Sequence, residues 1–274
     1  MIEIPESKNL EVQATQSLMG KKIKKVFTSN NPHKFCWFNG DLKNYAKLLE
    51  GKTIIGAKGH GMYLDLCMES DTSLSIGEGA IIKFCEPFEN RPEKYQIMID
   101  FDDNTYLVFT VAMYGSILAY MGMLDDKYHI GSLKSISPLS ENFNEKYFES
   151  LFTEAGKDMS VKAFLTTEQR IPGLGNGSLQ DILICSGIHP KRKISALSDS
   201  EKDGLLYNVK AILKDMVTRG GRDTEKDLFG KFGGYKTILS KNSCKEPCRL
   251  CGGAIVKEPY LGGAIYYCKT CQRL

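Results

Sequence analysis

The feature that most restricts the fold of this chain is a set of four cysteines near its C-terminus. They form two CxxC pairs, Cys248/Cys251 and Cys268/Cys271, which are separated by 16 residues. Each pair places two thiolates on one tight turn, and two such turns facing each other make a closed tetrahedral site for Zn²⁺. We therefore predict a structural zinc that stabilises folding, held on a β-hairpin whose strands are residues 254–256 and 264–267. The alternative is a pair of disulfides, which a cytosolic chain disfavours.

Composition and charge describe an ordinary soluble protein. The 274 residues are 42% hydrophobic and 25% charged, which excludes disordered, collagen-like and coiled-coil classes and suits one large domain or two smaller ones. The net charge of +3 is too small to indicate a nucleic-acid partner by itself. Residues 241–274 carry +4 and the preceding 240 residues sum to −1, so the basic excess lies in the cysteine-bearing tail.

Neither a secretory signal nor a membrane span is predicted. Residues 1–25 contain several charges and no apolar core behind a basic start. Residues 104–124 lack charge, but glycines interrupt them, and their short β-branched and aromatic runs favour buried strands over a spanning helix. We therefore expect a cytoplasmic monomer with no membrane partner, associated with the nucleoid if the source is bacterial.

The distribution of apolar residues predicts an α+β protein in three parts. The first part, residues 1–130, is mostly β structure with helices at residues 7–19 and 42–49, and residues 102–104 have the composition of a hairpin turn. The second part, residues 131–240, is helical, and the third, residues 241–274, is the zinc ribbon. The predicted strands are residues 22–28, 53–56, 62–68, 73–84, 95–101 and 105–112, and the predicted later helices are residues 144–154, 160–167, 177–185 and 198–218.

Two further features belong to the helical part. Ser198 and Glu201 form a capping-box pattern at the start of the last helix, and Gly220-Gly221 ends it. Residues 222–241 are rich in glycine, polar and aromatic residues, which predicts an exposed loop.

The most informative segment is residues 170–190. Pro172, Gly173 and Gly175 form a tight turn directly before a helix that begins near Asn176. Small residues at a helix start allow backbone N–H groups to approach a phosphate, which the helix dipole also favours. Glycine-rich helix starts are also common as purely structural turns. His189 is best explained as a structural residue at a helix end, and the spacing of His33, His60 and His129 predicts no second metal site.

Together with the chain start Met-Ile-Glu-Ile-Pro-Glu, this segment gives the chain a specific resemblance. The glycine turn, the Gly-Ile-His-Pro sequence at residues 187–190, residues 101–109 and 139–148, and the terminal cysteines resemble the formamidopyrimidine-DNA glycosylase / endonuclease VIII family of base-excision repair enzymes. The resemblance extends over nearly the whole chain. It implies an N-terminal β-sandwich, a helical domain with a helix–two-turn–helix element, and a zinc ribbon.

The resemblance also implies a chemistry. In this family the N-terminal amine attacks the sugar C1′ of a flipped-out damaged nucleotide, forms a Schiff base, expels the lesion and cleaves the strand by elimination. Met1 would supply the amine, Glu3 matches the proton-shuttling carboxylate, and Glu6 matches a second acid that organises the N-terminus. Gly173, Gly175 and Asn176 match the element that grips DNA phosphates. The implied partner is double-stranded DNA with a damaged base or an abasic site.

Four positions depart from the family pattern. Ile2 stands in place of the nucleophilic proline, and a bulky second residue should keep Met1 in place, which moves the amine outward by about 3.8 Å. Met62 replaces a lysine, and Gly263, within residues 262–264, replaces a phosphate-gripping arginine. Residues 110–115 replace a loop that fills the space of the flipped base.

Several interpretations therefore stay open. Met113 or Tyr114 is predicted to act as an apolar wedge between DNA base steps, or else to be buried in a strand. The first functional hypothesis is a glycosylase with AP lyase activity that uses Met1, Glu3 and Glu6. The second is a catalytically impaired protein that binds damaged DNA on the same scaffold. The third is a zinc-ribbon protein that binds RNA.

Overall fold

The computed structural model describes residues 1–156 and 158–274. Its N-terminal half contains α1 (Ile4–Leu18), β1 (Ile23–Thr28), β2 (Cys36–Phe38), α2 (Tyr45–Leu49), β3 (Ile54–His60), β4 (Tyr63–Met68), β5 (Thr72–Gly77), β6 (Ala80–Cys85), β7 (Ile97–Phe101), β8 (Tyr106–Val111) and β9 (Gly115–Met121). The rest contains α3 (Lys127–Lys134), α4 (Glu145–Glu154), α5 (Val161–Thr166), α6 (Asn176–Cys185), α7 (Asp199–Thr218), β10 (Ile255–Tyr260) and β11 (Gly263–Cys268).

Two sheets form the N-terminal half and share one core. The four-stranded sheet has the order β1-β7-β8-β6 and the five-stranded sheet the order β2-β9-β5-β4-β3. Only β2 and β9 pair in parallel among these strands. Alternate residues of β4, such as Leu64, Leu66 and Met68, are buried in the common core, as expected for strands with one inward face. The predicted α+β class with an N-terminal β-sandwich is confirmed.

The helical part has a second core and a third small one beneath the terminal hairpin. Side chains from α4, α5, α6 and α7 fill the second core, and Ile4 of α1 contributes to it. The side chains of Asn144 and Ser198 accept hydrogen bonds from backbone N–H groups at the starts of α4 and α7, and the predicted capping box with Glu201 is present. The starts of these two helices are confirmed.

The predicted single strand over residues 73–84 is wrong. The chain leaves the five-stranded sheet after β5, turns at Glu78 and Gly79, and enters the four-stranded sheet as β6. Glu78 has a positive φ of 56°, and a Cβ on Gly79 would lie 2.2 Å from the carbonyl oxygen of Tyr114. The turn therefore depends on a close backbone approach, and Gly77-Glu78-Gly79 marks its position in the sequence.

Other differences are smaller. Helix α1 begins at Ile4 rather than residue 7, because Pro5 suits a first turn and the Glu6 carboxylate accepts a hydrogen bond from the Glu3 N–H at 3.1 Å. The short strand β2 and helix α3 are not predicted from the sequence. Among the described residues, none of the helices combines the length and the apolar character needed to cross a membrane.

The segment after α7 is not the exposed loop that the sequence predicts. Arg222 is only 2% exposed, and Leu228, Tyr235 and Leu239 are also buried. Leu228 belongs to the core of the β-sandwich, and its N–H donates to the Gln13 side chain of α1. This segment therefore fastens the helical part to the N-terminal half.

Candidate functional site

A cleft of about 550 Å³ lies between the β-sheet region and the helical region. Both regions and the tip of the terminal hairpin contribute to its walls. Among its lining residues are Met1, Ile2, Glu3, Met62, Met113, Tyr114, Lys162, Gly173, Gly175, Asn176, Gly262 and Gly263. All the site residues predicted from the sequence line this cleft, except Glu6 and the four cysteines.

The N-terminal residue is held at the cleft by its neighbour. Ile2 is buried in the core of the β-sandwich, and its N–H donates to the Glu78 carbonyl at 2.8 Å. The Met1 carbonyl accepts a hydrogen bond from Arg222 Nη2 at 3.2 Å, and the Met1 amine forms an ion pair with Glu225. Ile2 therefore acts as an anchor, and the terminal amine lies one residue further out.

Glu3 and Glu6 bind a buried arginine that sequence reasoning missed. Arg222 Nη1 lies 3.1 Å from Glu3 Oε1, and its Nη2 and Nε lie 2.6 and 3.0 Å from the Glu6 oxygens. All three side chains are buried. Since Glu6 and Arg222 are 216 positions apart, no local pattern could have revealed the contact.

The Glu3 carboxylate is held in its ionised form. The N–H groups of Gly177 and Ser178 donate to its two oxygens at 2.8 and 2.9 Å. Burial by itself raises the pKa of Glu3, but the Arg222 guanidinium and these N–H donors outweigh burial and hold the pKa below its usual range. Glu3 thus occupies the N-terminus of α6, where its charge is stabilised by the helix dipole.

The glycines of the turn make this arrangement sterically possible. A Cβ on Gly175 would lie 2.5 Å from Glu3 Cδ, and one on Gly177 would lie 1.5 Å from Arg222 Nη1. Gly173 has a φ of +81° and approaches the backbone of Gly61 in the β3–β4 turn. The glycine pattern therefore has a structural cause within the chain, and the predicted phosphate contacts of Gly173 and Gly175 stay predictions.

Asn176 connects α6 to the hairpin tip. Its Nδ2 donates to the Ala264 carbonyl at 2.8 Å, and the Gln180 side chain donates to the same oxygen at 3.2 Å. An amide NH₂ carries a second proton, which can donate to a ligand in the cleft. The tip of the terminal hairpin, which lacks the arginine of the family pattern, is thus hydrogen-bonded directly to Asn176.

Lys162 is a cleft cation that the sequence did not single out. It lies on α5, its side chain is almost fully buried, and its Nζ donates to the Tyr260 carbonyl of the hairpin at 2.5 Å. Burial lowers its pKa. A Cβ on Gly263 would lie 3.9 Å from this Nζ, so a positive charge remains beside the tip.

Met113 and Tyr114 lie in the turn between β8 and β9. Met113 is 73% exposed, so its predicted alternative of burial in a strand is wrong. The Tyr114 ring lies edge-on to the exposed Trp37, with centroids 6.2 Å apart. These side chains form an apolar rim at the mouth of the cleft, and the role of a wedge stays a prediction.

The four terminal cysteines come together as the spacing predicts. The Sγ atoms of Cys248 and Cys271 are 3.9 Å apart, and those of Cys251 and Cys268 are 3.5 Å apart. All four thiols lie close enough to bind one metal ion. Strands β10 and β11 pair in the predicted hairpin and extend beyond its predicted bounds. A set of four sulfur ligands fits tetrahedral Zn²⁺.

Comparison with known proteins agrees with this geometry. A family model described as the formamidopyrimidine-DNA glycosylase H2TH domain matches residues 135–227. Formamidopyrimidine-DNA glycosylases of Enterobacter sp. and Salmonella newport are 36% identical over 140 residues, which cover 50% of this chain and 51% of each relative. Residues 135–227 are therefore similar to the H2TH domain of formamidopyrimidine-DNA glycosylases, and half of the chain is similar in sequence to these proteins. The aligned region spans about half the length of these curated relatives.

Solved structures show that the fold of the family extends over the whole chain. A complex of Lactococcus lactis Fpg with abasic-site DNA has a TM-score of 0.84 at 22% identity, covering 99% of this chain and 100% of that one. A complex of the same protein with DNA containing N7-benzyl-Fapy-dG has a TM-score of 0.85 at 21% identity, with the same coverage. At this level of identity the likeness concerns the fold alone.

The chain departs from the pattern of the formamidopyrimidine-DNA glycosylase / endonuclease VIII family, which it resembles, at the cleft itself. Met62, in place of the lysine, lines the cleft without charge, and Gly263 gives the hairpin tip no side chain. Ile2, in place of the proline, is turned into the core. The scaffold is therefore complete, and the changes are concentrated where a substrate would lie.

Proposed function

We propose that this protein binds double-stranded DNA in the cleft, at a damaged base or an abasic site, and acts as a base-excision DNA glycosylase with AP lyase activity. The observation that carries the proposal is that Met1, at the chain start, lines the same cleft as Asn176 and the hairpin tip. The relatives named as glycosylases and the similar proteins solved with damaged or abasic DNA support it.

The proposed chemistry uses the Met1 amine as nucleophile. On a damaged nucleotide, the neutral amine bonds to C1′ as the bond between C1′ and the base breaks. The C1′–O4′ bond then breaks, with a proton passing from the nitrogen to O4′, and an imine is left. At an abasic site, addition of the amine to the C1′ aldehyde and loss of water give the same imine, and removal of a C2′ proton then eliminates the 3′ phosphate. A primary amine can form this imine. Glu225, which is paired with the Met1 amine, can accept the proton of that amine. Glu3 is held as an anion, so it can accept a proton but has none to donate.

DNA contacts would come from three sides of the cleft. Asn176 and Lys162 offer an amide N–H and a cation to the sugar-phosphate chain, which would position the duplex without reading its sequence. Met113 and Tyr114 would enter the duplex as apolar wedges. We propose that the protein acts as a monomer.

We further propose that the metal held by the four cysteines is Zn²⁺ with a structural role. It would fix the two turns that support β10 and β11, and through Ala264 it would hold the hairpin tip on Asn176. No open position remains for a substrate when four thiolates bind one zinc.

The second candidate is a damaged-DNA-binding protein with impaired catalysis. The network around Glu3 favours it, because both carboxylate oxygens are occupied by donors and the lowered pKa leaves no proton to give to a departing base. The uncharged Met62 in the cleft removes another proton source.

Borohydride reduction on abasic-site DNA separates the two candidates. The first predicts a covalent adduct whose digestion places the DNA on the peptide beginning with Met1. The second predicts selective binding of abasic over intact duplex with no adduct. Equal affinity for both duplexes would contradict both candidates, and an adduct on Lys162 would contradict the proposed nucleophile.

Glu225→Gln tests the proton acceptor, and it should lower the adduct yield without weakening DNA binding.

A further inference from the structure

Three buried side chains converge outside the cleft, although the sequence predicted no second metal site. His60 ends β3, Asp65 lies in the middle of β4, and His129 lies on α3. His60 Nε2 is 2.9 Å from Asp65 Oδ2, and His129 Nε2 is 3.0 and 3.1 Å from the two Asp65 oxygens. Their exposed fractions are 7%, 5% and 2%. None of them lines the cleft.

Ser132 fixes the orientation of the His60 ring. Its Oγ donates to the His129 carbonyl at 2.9 Å and lies 2.6 Å from His60 Nδ1. When His60 Nδ1 carries the ring proton and donates to Ser132, the lone pair on Nε2 faces Asp65 Oδ2 at 2.9 Å. In that tautomer the imidazole and the carboxylate present lone pairs to the same point, as the ligands of a metal ion do. In the opposite tautomer Nε2 donates to Asp65 directly, and metal analysis distinguishes the two.

We propose that His60, Asp65 and His129 bind a second divalent metal ion of the Zn²⁺ class. Two imidazole nitrogens and one carboxylate are a common ligand set for zinc. Ser132 has the position of an outer partner that fixes the ring and tautomer of His60. The Tyr120 hydroxyl donates to Asp65 Oδ2 at 3.4 Å and so helps to hold the carboxylate in place.

The three ligand atoms lie within 4.8 Å of one another, and the nitrogen–oxygen distances need only a small adjustment. Tetrahedral ligands at zinc bond lengths lie about 3.3 Å apart, a few tenths of an ångström more than the nitrogen–oxygen distances found here. The ion would also join elements from separate parts of the chain. The adjacent Gly61 approaches Ser132 of α3 and Pro172 of the glycine turn, so the ion would fix the β3–β4 turn beside the cleft.

Metal analysis of the full chain tests this inference without reference to DNA. The protein is saturated with Zn²⁺, dialysed and measured by elemental analysis. Two equivalents per chain are expected, one at the cysteines and one here. With Co²⁺ in place of Zn²⁺, the cysteine site gives intense thiolate charge-transfer bands, and the second equivalent adds only weak visible bands typical of nitrogen and oxygen ligands.

Substitutions assign the second equivalent. Asp65→Asn and His129→Gln should each bind one equivalent and keep the thiolate bands, whereas His33→Gln, a control outside the cluster, should keep two. A single equivalent in the unaltered protein would overturn the proposal and would mean that His60 and Asp65 are joined by a hydrogen bond. Since that measurement needs no variant, a variant that fails to fold leaves the test intact.

Discussion

The contact with Arg222 gives Glu3 a structural role. By resemblance Glu3 is a proton shuttle, but in this chain a buried guanidinium and two helix N–H groups surround it. Such a network makes the carboxylate a structural charge, and breaking a buried pair by removing one partner is strongly destabilising. The residue to which the resemblance assigns proton transfer is therefore also needed here for the fold of the N-terminus.

Glu3→Gln is expected to lower the free energy of unfolding by about 3–5 kcal/mol at pH 7, because Arg222 loses one of its two carboxylate partners. A group whose pKa is lowered by folding stabilises the protein above its unfolded pKa, and this stabilisation is lost as the pH falls through the folded value. The difference in the free energy of unfolding between Glu3→Gln and the unaltered protein should therefore become smaller as the pH falls. Urea unfolding between pH 7 and pH 3 measures it.

Glu11→Gln is a control for this measurement, because the Glu11 ion pair with Lys8 lies partly in solvent. Its effect should be at most about 1 kcal/mol. A similarly small loss for Glu3→Gln, or a loss that does not change with pH, would contradict the buried network.

Asn176→Ala is expected to weaken binding to every duplex and to reduce the slope of log affinity against log salt by about 1, because one phosphate contact is lost. Affinities at several salt concentrations, measured with two unrelated sequences, provide the test. Asn142→Ala, an exposed asparagine that does not line the cleft, is the matched control. Unchanged affinity for Asn176→Ala would count against the assigned phosphate contact.

At the scale of elements, helix α6 depends on the absence of a side chain at its first turn. Gly177→Ala should destabilise the protein by about 2 kcal/mol or more, because its Cβ would meet Arg222 Nη1 at 1.5 Å. Gly204→Ala, within α7 where a Cβ meets nothing within 4 Å, should instead stabilise it by about 1 kcal/mol. Thermal unfolding should show a lower melting temperature for Gly177→Ala and a higher one for Gly204→Ala. Equal shifts would contradict the steric role of Gly177.

The terminal hairpin should depend on its metal. Chelation is expected to unfold β10 and β11 and to abolish DNA binding, because the hairpin tip would no longer lie on Asn176. Circular dichroism and binding measured on the same sample check this, with recovery on addition of Zn²⁺. Retained DNA binding after complete metal removal would contradict a structural role for the ribbon in the interface.

Sequence patterns sufficed for elements whose causes are local. The Ser198–Glu201 capping box and each CxxC pair were found because their members are three positions apart. The glycine turn was found from its composition alone, and the contacts that require it, with Glu3, Gly61 and Arg222, come from distant segments. The division of β5 from β6 was missed although Gly77-Glu78-Gly79 interrupts the segment, since the sequence of a strand does not show which sheet it joins. Arg222 and the His60 cluster were missed because they are assembled from distant segments. The predicted domain limits at residues 130 and 240 stay predictions.

At the scale of the molecule, the chain start and the segment after α7 meet at one place. The Asn9 side chain donates to the Gly220 carbonyl, and Arg222 reaches both acidic residues of the N-terminus. The β-sandwich and the helical part are therefore fixed against each other around the cleft. Because these contacts join the two parts, the glycine turn, the hairpin tip and residue 1 can face one ligand.

A structure of the protein bound to a duplex with a stable abasic-site analogue would show whether DNA lies in this cleft with its lesion toward Met1. We expect the lesion-strand phosphates beside Asn176, Met113 or Tyr114 between base steps, and the abasic sugar facing the Met1 amine. A duplex bound on another face, or an abasic sugar turned away from residue 1, would contradict it.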